Sequence, residues 1–159
     1  MKRMLALIGL ALATPAQADC DHFKWPLARE RVWFAAGAEP LEAGAEIGPA
    51  EQAYALALKP GEAAGYVLPP KKPVAGTFGA VVRLKAITKP GLYQVTLSRE
   101  AWIDLIQSGV SARSRNVSRQ SDCAIMRKSV RFQLETGAAT LQISGVDASA
   151  IDFAVAPAP

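Results

Sequence analysis

The sequence predicts an all-β protein: an antiparallel β-sandwich or jelly roll of about eight strands, with one short helix near the N-terminus. Three observations carry this. From Tyr54 onward, apolar residues recur at every second position in one segment after another. Proline, glycine and small polar clusters separate those segments. The one stretch of helix-forming composition is short and precedes them all. Period-two alternation marks strands with one buried face, and a series of short strands between turns marks a sandwich.

In chain order, Trp25-Pro26-Leu27-Ala28-Arg29-Glu30-Arg31-Val32-Trp33-Phe34 opens as a helix, because proline suits a first helical position and Ala, Arg and Glu propagate one. The next stretch, AAGAEPLEAGAEIGPAE, holds three glycines and two prolines and reads as loop, with a short edge strand around residues 45–47. Tyr54, Leu56 and Leu58 then alternate with alanines. Tyr66-Val67-Leu68 is a short strand candidate stopped by Pro69-Pro70, and residues 71–76 read as a turn or loop. Ala80, Val82 and Leu84 alternate, as do Tyr93, Val95 and Leu97 after the turn Lys89-Pro90-Gly91. Trp102 to Ile106 is an apolar run broken by Asp104. Val130, Phe132 and Leu134 form another alternating set, followed by Leu141 and Ile143, then Ile151, Phe153 and Val155. Ser98-Arg99-Glu100 and Glu135-Thr136-Gly137 are short enough to close hairpins. Residues 108–128 show no alternation and read as a long basic loop.

The N-terminus carries a second kind of signal. Lys2 and Arg3, an apolar run from Leu5 to Ala13, and Ala16-Gln17-Ala18 have the layout of a secretory signal peptide covering residues 1–18. The run is too short to span a bilayer, and no other stretch is long and apolar enough to do so. The expectation is a soluble periplasmic or secreted protein with one domain, residues 19–159. Without residues 1–18, the 159-residue chain becomes 141 residues, and 18 basic side chains become 16 against 14 acidic ones. The formal charge falls from +4 to +2, so overall charge gives no pointer to nucleic acid. Two cysteines in an exported chain predict one disulfide, Cys20 to Cys123; the alternatives are free thiols or an intermolecular bond. Closing a loop of roughly 100 residues is worth about 4–5 kcal/mol in the chain-entropy model. The bridge makes CDHFKWPLARERVWF an N-terminal plug fastened over one side or end of the sandwich.

The chemistry available is narrow. Transition-metal sites want several His or Cys ligands, whereas His22 is the single histidine and the cysteines are assigned to each other. Asp147 and Asp152 do not form an acid-rich calcium series. A nucleophilic triad would have to use His22, and no G-x-S-x-G elbow or phosphate-cradling glycine loop is present. No catalytic residue, metal or cofactor is therefore assigned. What remains is a basic cluster, Arg113, Arg115, Arg119, Arg127 and Lys128, with one acid, Asp122, in the same loop. Arg131, Gln133 and Gln142 are expected on the outward face of adjacent strands beside it. Guanidinium groups grip phosphate, sulfate or carboxylate with two parallel hydrogen bonds. Trp102 is expected beside Asp104, either packed in the fold or partly exposed.

Four stretches, CDHFKWPLARERVWF, GTFGAVVRL, GLYQVTLSREAWIDLIQSG and DCAIMRKSVRFQLETGAATLQISG, together resemble a family of small exported proteobacterial proteins, some named homogentisate 1,2-dioxygenase. The resemblance covers nearly the whole mature chain. That enzyme name implies Fe(II) held by two histidines and a glutamate in a much longer cytoplasmic chain, and one histidine behind a signal peptide departs from it. A looser resemblance, through GLYQVTLS and VRFQLETGAATLQISG, is to β-sandwich domains appended to secreted bacterial peptidases, which implies an accessory role. Three functions follow as expectations: an exported non-catalytic protein binding a glycan or anionic envelope polymer through the basic residues, a dioxygenase-type enzyme, or a module that binds another protein.

Overall fold

A computed structural model describes residues 20–72 and 74–159; the predicted signal peptide lies outside them. Among the described residues there are one α-helix and twelve strands. The alternating segments form the long strands. These are β3 (Tyr54–Ala57), β5 (Phe78–Ile87), β6 (Gly91–Leu97), β7 (Trp102–Gln107), β10 (Lys128–Leu134), β11 (Gly137–Val146) and β12 (Ala150–Pro157). Helix α1 (Ala28–Ala35) forms from the predicted helix formers but starts two residues after Pro26, with Leu27 as its N-cap. The remaining strands are short or polar: β1 (Glu39–Leu41), β2 (Glu46–Ile47), β4 (Lys59–Pro60), β8 (Val110–Ser111) and β9 (Ser114–Arg119).

The strands form two sheets. The first has the order β1-β3-β12-β6-β10-β9, and the second has the order β2-β5-β11-β7-β8, with β4 also on β5. Pairing is antiparallel except at two edges, where β1 runs parallel to β3 and β2 parallel to β5. The inner faces meet in one core. Leu56, Tyr93, Val95, Leu97, Phe132, Leu134 and Phe153 come from the first sheet, and Val82, Leu84, Leu105, Leu141 and Ile143 from the second. Tyr54 and Phe153 stack across neighbouring strands at 5.6 Å between ring centroids.

Several expectations need correction. Ser98-Arg99-Glu100 and Glu135-Thr136-Gly137 are not hairpin turns, because β6 and β10 lie in the first sheet while β7 and β11 lie in the second. Each turn carries the chain across the sandwich, so inward faces stay inward while the hydrogen-bonding partner changes. Gln142 consequently lies in the other sheet from Arg131 and Gln133. Residues 66–68 form no strand. Residues 108–128 are not one loop: β7 turns through β8, crosses to β9, and β9 pairs antiparallel with β10.

Both sheets are also partly covered on their outer faces. Over the first sheet lies the N-terminal segment, fastened by the Cys20–Cys123 disulfide, whose cysteines are 103 positions apart. Cys20, Phe23, Trp25, Leu27, Cys123 and Met126 pack as a small core of their own. Trp33 packs on Ala53, Ala154 and Ala156 of the outer face, where small residues leave room for the indole. Glu30 and Trp33, three apart, share the buried side of α1. Glu30 is 2% exposed. Its carboxylate accepts from Arg29 at 2.6 Å and from Gln94 Nε2 at 2.7 Å. The backbone amide of Lys24 donates to Ser118 Oγ, and the Arg131 guanidinium sits 4.4 Å from the Trp25 ring centroid.

Cys20→Ser removes the fastening without removing the plug's apolar contacts. Urea unfolding under oxidising conditions should show a loss of about 4–5 kcal/mol, the loop-closure term for a loop of this length. A loss below about 1 kcal/mol would mean that the plug is held by packing alone.

Candidate functional site

The six basic residues singled out by sequence fall into three groups. Arg113, Arg115 and Arg119 are exposed. Arg113 lies between β8 and β9; the other two lie on β9, the edge strand of the first sheet. Edge strands expose unpaired backbone groups, and natural ones are commonly guarded by charge or by a bulge. β9 has both: its pairing with β10 is irregular at Arg115, between the Asn116–Arg131 and Ser114–Phe132 pairs. Arg119 lies 3.3 Å from Glu100. Arg113 and Arg115 form no ion pair with any described residue.

Lys128 faces the core and Arg131 lies on the outer face beneath the plug. Strand alternation on β10 puts Lys128 on the face of Val130 and Phe132, and Arg131 on the opposite face. Lys128 is 4% exposed. Its ammonium donates to the Ala101 carbonyl, lies 5.7 Å from the Trp102 ring centroid and reaches Glu100 at 3.9 Å. Arg131 donates to Gln94 Oε1 at 3.2 Å and stacks on Trp25 beneath the plug. Their charges are engaged within the fold, on opposite faces of one sheet.

Arg127 belongs to a cleft of about 650 Å³ at one end of the sandwich. The β6–β7 crossing supplies Ser98, Arg99 and Glu100; the disulfide-held loop supplies Ile125 and Arg127; the β11–β12 turn and β12 supply Asp147 and Asp152; Phe34 closes one side. Arg99 and Asp147 approach to 3.6 Å. The Ser98 hydroxyl accepts from the Asp152 amide, and the Asp152 carbonyl accepts from the Ser98 amide, which locks the crossing to β12. Burial raises the Asp152 carboxyl above its ordinary range, and Arg99 partly offsets this. The cleft thus combines two guanidinium donors, three carboxylates and two large apolar side chains, Phe34 and Ile125, with Ala124 and Ala150 beside them. Glu100 joins it to the basic edge through Arg119. Sequence reasoning found Arg127 but not Arg99, Asp147 and Asp152 beside it, because three separate turns bring these residues together.

A second polar surface lies on the other sheet. On the outer face of the second sheet, Trp102 pairs with Ser144 and Asp104 with Gln142 across β7 and β11. Residues 64–72 lie over them. Gln142 is fully buried. Its Oε1 accepts from the Val67 and Leu68 amides at 3.0 and 3.4 Å, and its Nε2 donates to the Leu68 carbonyl at 2.9 Å. Gly79 on β5 is required here: a Cβ would lie 2.0 Å from the Tyr66 hydroxyl and 2.6 Å from the Ile143 carbonyl.

His22 is exposed, with Nδ1 3.4 Å from Gln120 Nε2. Among the described residues, no three His, Cys, Asp or Glu side chains are grouped to hold a metal ion. No helix among them is long and apolar enough to cross a membrane. Comparison of the chain with protein-family models, with curated proteins and with solved structures found no match.

Burial, followed by the charge of Arg119, pushes the Lys128 ammonium below its ordinary value of 10.5, while Glu100 pulls it back. The native chain therefore holds this proton less tightly than the unfolded chain. As pH rises towards 10.5, the native amine loses its proton first and the desolvation penalty fades, so this residue's contribution becomes more favourable. Urea unfolding of wild type and Lys128→Met at stepped pH should show wild type gaining on the variant between neutral pH and 10.5. Parallel pH profiles would mean that the amine is hydrated in the native state.

Proposed function

We propose that the chain is an exported, non-catalytic β-sandwich protein that binds a glycan or other anionic polymer of the cell envelope along its basic edge and the adjoining cleft. The observation that carries this reading is the continuity of charge from Arg113 and Arg115, through Arg119 and Glu100, to the cleft that holds Arg99 and Arg127. A polymer needs an extended track rather than a closed pocket, and an edge strand bordering an open cleft has that shape. The exposed guanidinium groups are placed to contact sulfate, phosphate or carboxylate. Asp147 and Asp152 offer acceptors for sugar hydroxyls, and Phe34 and Ile125 offer apolar surface for the faces of sugar rings. Export supports the reading through the signal-like N-terminus and the disulfide. The resemblance to a family of small exported proteins and to accessory sandwich domains points the same way.

Dextran sulfate and neutral dextran, titrated against the purified chain at fixed salt, separate the electrostatic part from the rest. The variant Arg113→Ala/Arg115→Ala/Arg119→Ala should bind dextran sulfate at least about tenfold more weakly, since charge-assisted hydrogen bonds contribute about 1.5–3 kcal/mol each before screening. Arg127→Ala should add to that loss. Unchanged binding in the triple variant would place the site elsewhere.

A further inference from the structure

The two outer covers differ in one respect. Under the N-terminal plug, the polar side chains of the first sheet have partners: Gln94 with Glu30 and Arg131, Thr96 with Ser129 at 3.0 Å, and Ser118 with the Lys24 amide. Under residues 64–72 only some do: Gln142 and Asp104 Oδ1 have partners, and three neighbouring atoms have none. Four buried side-chain polar atoms among the described residues lack a hydrogen-bond partner. Three of them, Trp102 Nε1, Asp104 Oδ2 and Ser144 Oγ, lie beneath this one segment; the fourth is Trp25 Nε1. Buried groups of this kind are ordinarily paired, because leaving one unmet costs its full desolvation. A cover that existed only for stability would not be expected to leave three neighbouring groups unmet.

The way the segment is held resembles the binding of a ligand. Residues 66–72 read YVLPPKK. Pro69 and Pro70 have no amide hydrogen, so the segment cannot pair as an ordinary strand. Its backbone is read instead by one side-chain amide, that of Gln142, which accepts from two amides and donates to one carbonyl. Its two lysines meet dedicated partners. Lys71 Nζ lies 3.4 Å from Asp104 Oδ1 and 3.3 Å from Ser111 Oγ, and Ser111 itself donates to Asp104 Oδ1 at 3.1 Å. Lys72 Nζ lies 5.4 Å from the Trp102 ring centroid. A cavity of about 530 Å³, lined in part by Tyr66, Pro70, Val74 and Ser144, adjoins the segment. Gly65, at φ +69°, takes the left-handed turn that leads the chain into it.

We propose that the outer face of the second sheet is a receptor groove for an extended, proline-containing, lysine-bearing peptide of a partner protein, and that residues 64–72 occupy it as an intramolecular stand-in. Gln142 reads the incoming backbone, Asp104 and Trp102 read its lysines, and the adjoining cavity takes an apolar side chain. A partner peptide gains over the stand-in by donating to Asp104 Oδ2 and accepting from Trp102 Nε1. This groove meets the cleft through Lys128, which contacts both Trp102 and Glu100, but its own chemistry is the reverse, acidic and aromatic.

The test uses the full chain, ¹⁵N-labelled, and follows the Trp102 indole N–H during titration with Ac-YVLPPKK-NH₂ and Ac-YVLPPEE-NH₂. Lys71→Glu places a carboxylate against Asp104 and loosens the stand-in without altering the groove. The lysine peptide should bind this variant at least about tenfold more tightly than wild type, in which the competent state is only fractionally populated. Lys71→Ala should give a smaller gain, Asp104→Asn should erase the preference for lysine over glutamate, and the Trp102 resonance should move on binding. Equal responses to the two peptides, no gain in Lys71→Glu and Lys71→Ala, or a stationary Trp102 resonance would each overturn the proposal. Self-association of Lys71→Glu without peptide would also overturn it, by making a second copy's segment the occupant.

Discussion

The fold depends on covering part of the outer face of each sheet as well as the whole of the inner one. A two-sheet sandwich ordinarily leaves its outer faces to water, with polar residues there that need no partners. Here Gln94, Thr96 and Ser129 on one outer face, and Asp104, Gln142 and Ser144 on the other, are all under 4% exposed. Each polar atom taken from water then needs a replacement partner from whatever lies above it. The inner core is conventional apolar packing. The covers are where the sequence has to supply matching polar groups one by one.

The N-terminal cover meets this demand with a hydrogen-bond network centred on Glu30. One carboxylate oxygen accepts from Arg29 and Gln94, and Gln94 passes the chain on to Arg131, which stacks on Trp25. Breaking such a network at one point leaves the others buried and unpaired, so its members stand or fall together. The disulfide gives this arrangement its geometry. It holds Cys20 to the loop between β9 and β10, so that Trp25, Glu30 and Trp33 come down on the outer face of the sheet that contains those strands. Over the second sheet the cover has no covalent tie of its own; Gln142 and an exposed lysine hold it. The covers therefore divide between permanence and exchange.

How much of this could be read from the sequence follows from which physical signals are local. Strands β3, β5, β6, β10 and β12 have one face on the core, and their alternation is plain in the residues. The two cysteines and the aromatic density after residue 20 made the plug legible too. β9 was missed because an edge strand written SRNVSR buries only Ser118 and partly Val117, so it has no apolar period. The pairing of strands was missed because a three-residue turn looks the same whether it closes a hairpin or crosses the sandwich. Lys128 read as a solvated cation because nothing nearby in the sequence shows that the Ala101 carbonyl and the Trp102 ring would enclose it. Gln142 reads from the sequence as an outward residue, and neither it nor Gln94 carries a periodic sign that a cover would bury it.

The basic residues show how far composition can mislead about function. Six cations close in sequence looked like one patch. Strand alternation and a sheet crossing divide them into structural and available charges. Arg131 and Lys128 neutralise or donate to groups that folding has already taken from water, so removing them would disturb packing before it disturbed any ligand. Arg113, just before β9, and Arg115, on its edge, face solvent, where their charge costs the fold little and keeps other strands from adding to it. That protective role and a binding role are compatible, since both require the guanidinium groups to remain exposed. A ligand would distinguish itself from mere protection by also engaging Arg99 and Arg127, which guard no edge and stand in the cleft where three turns converge.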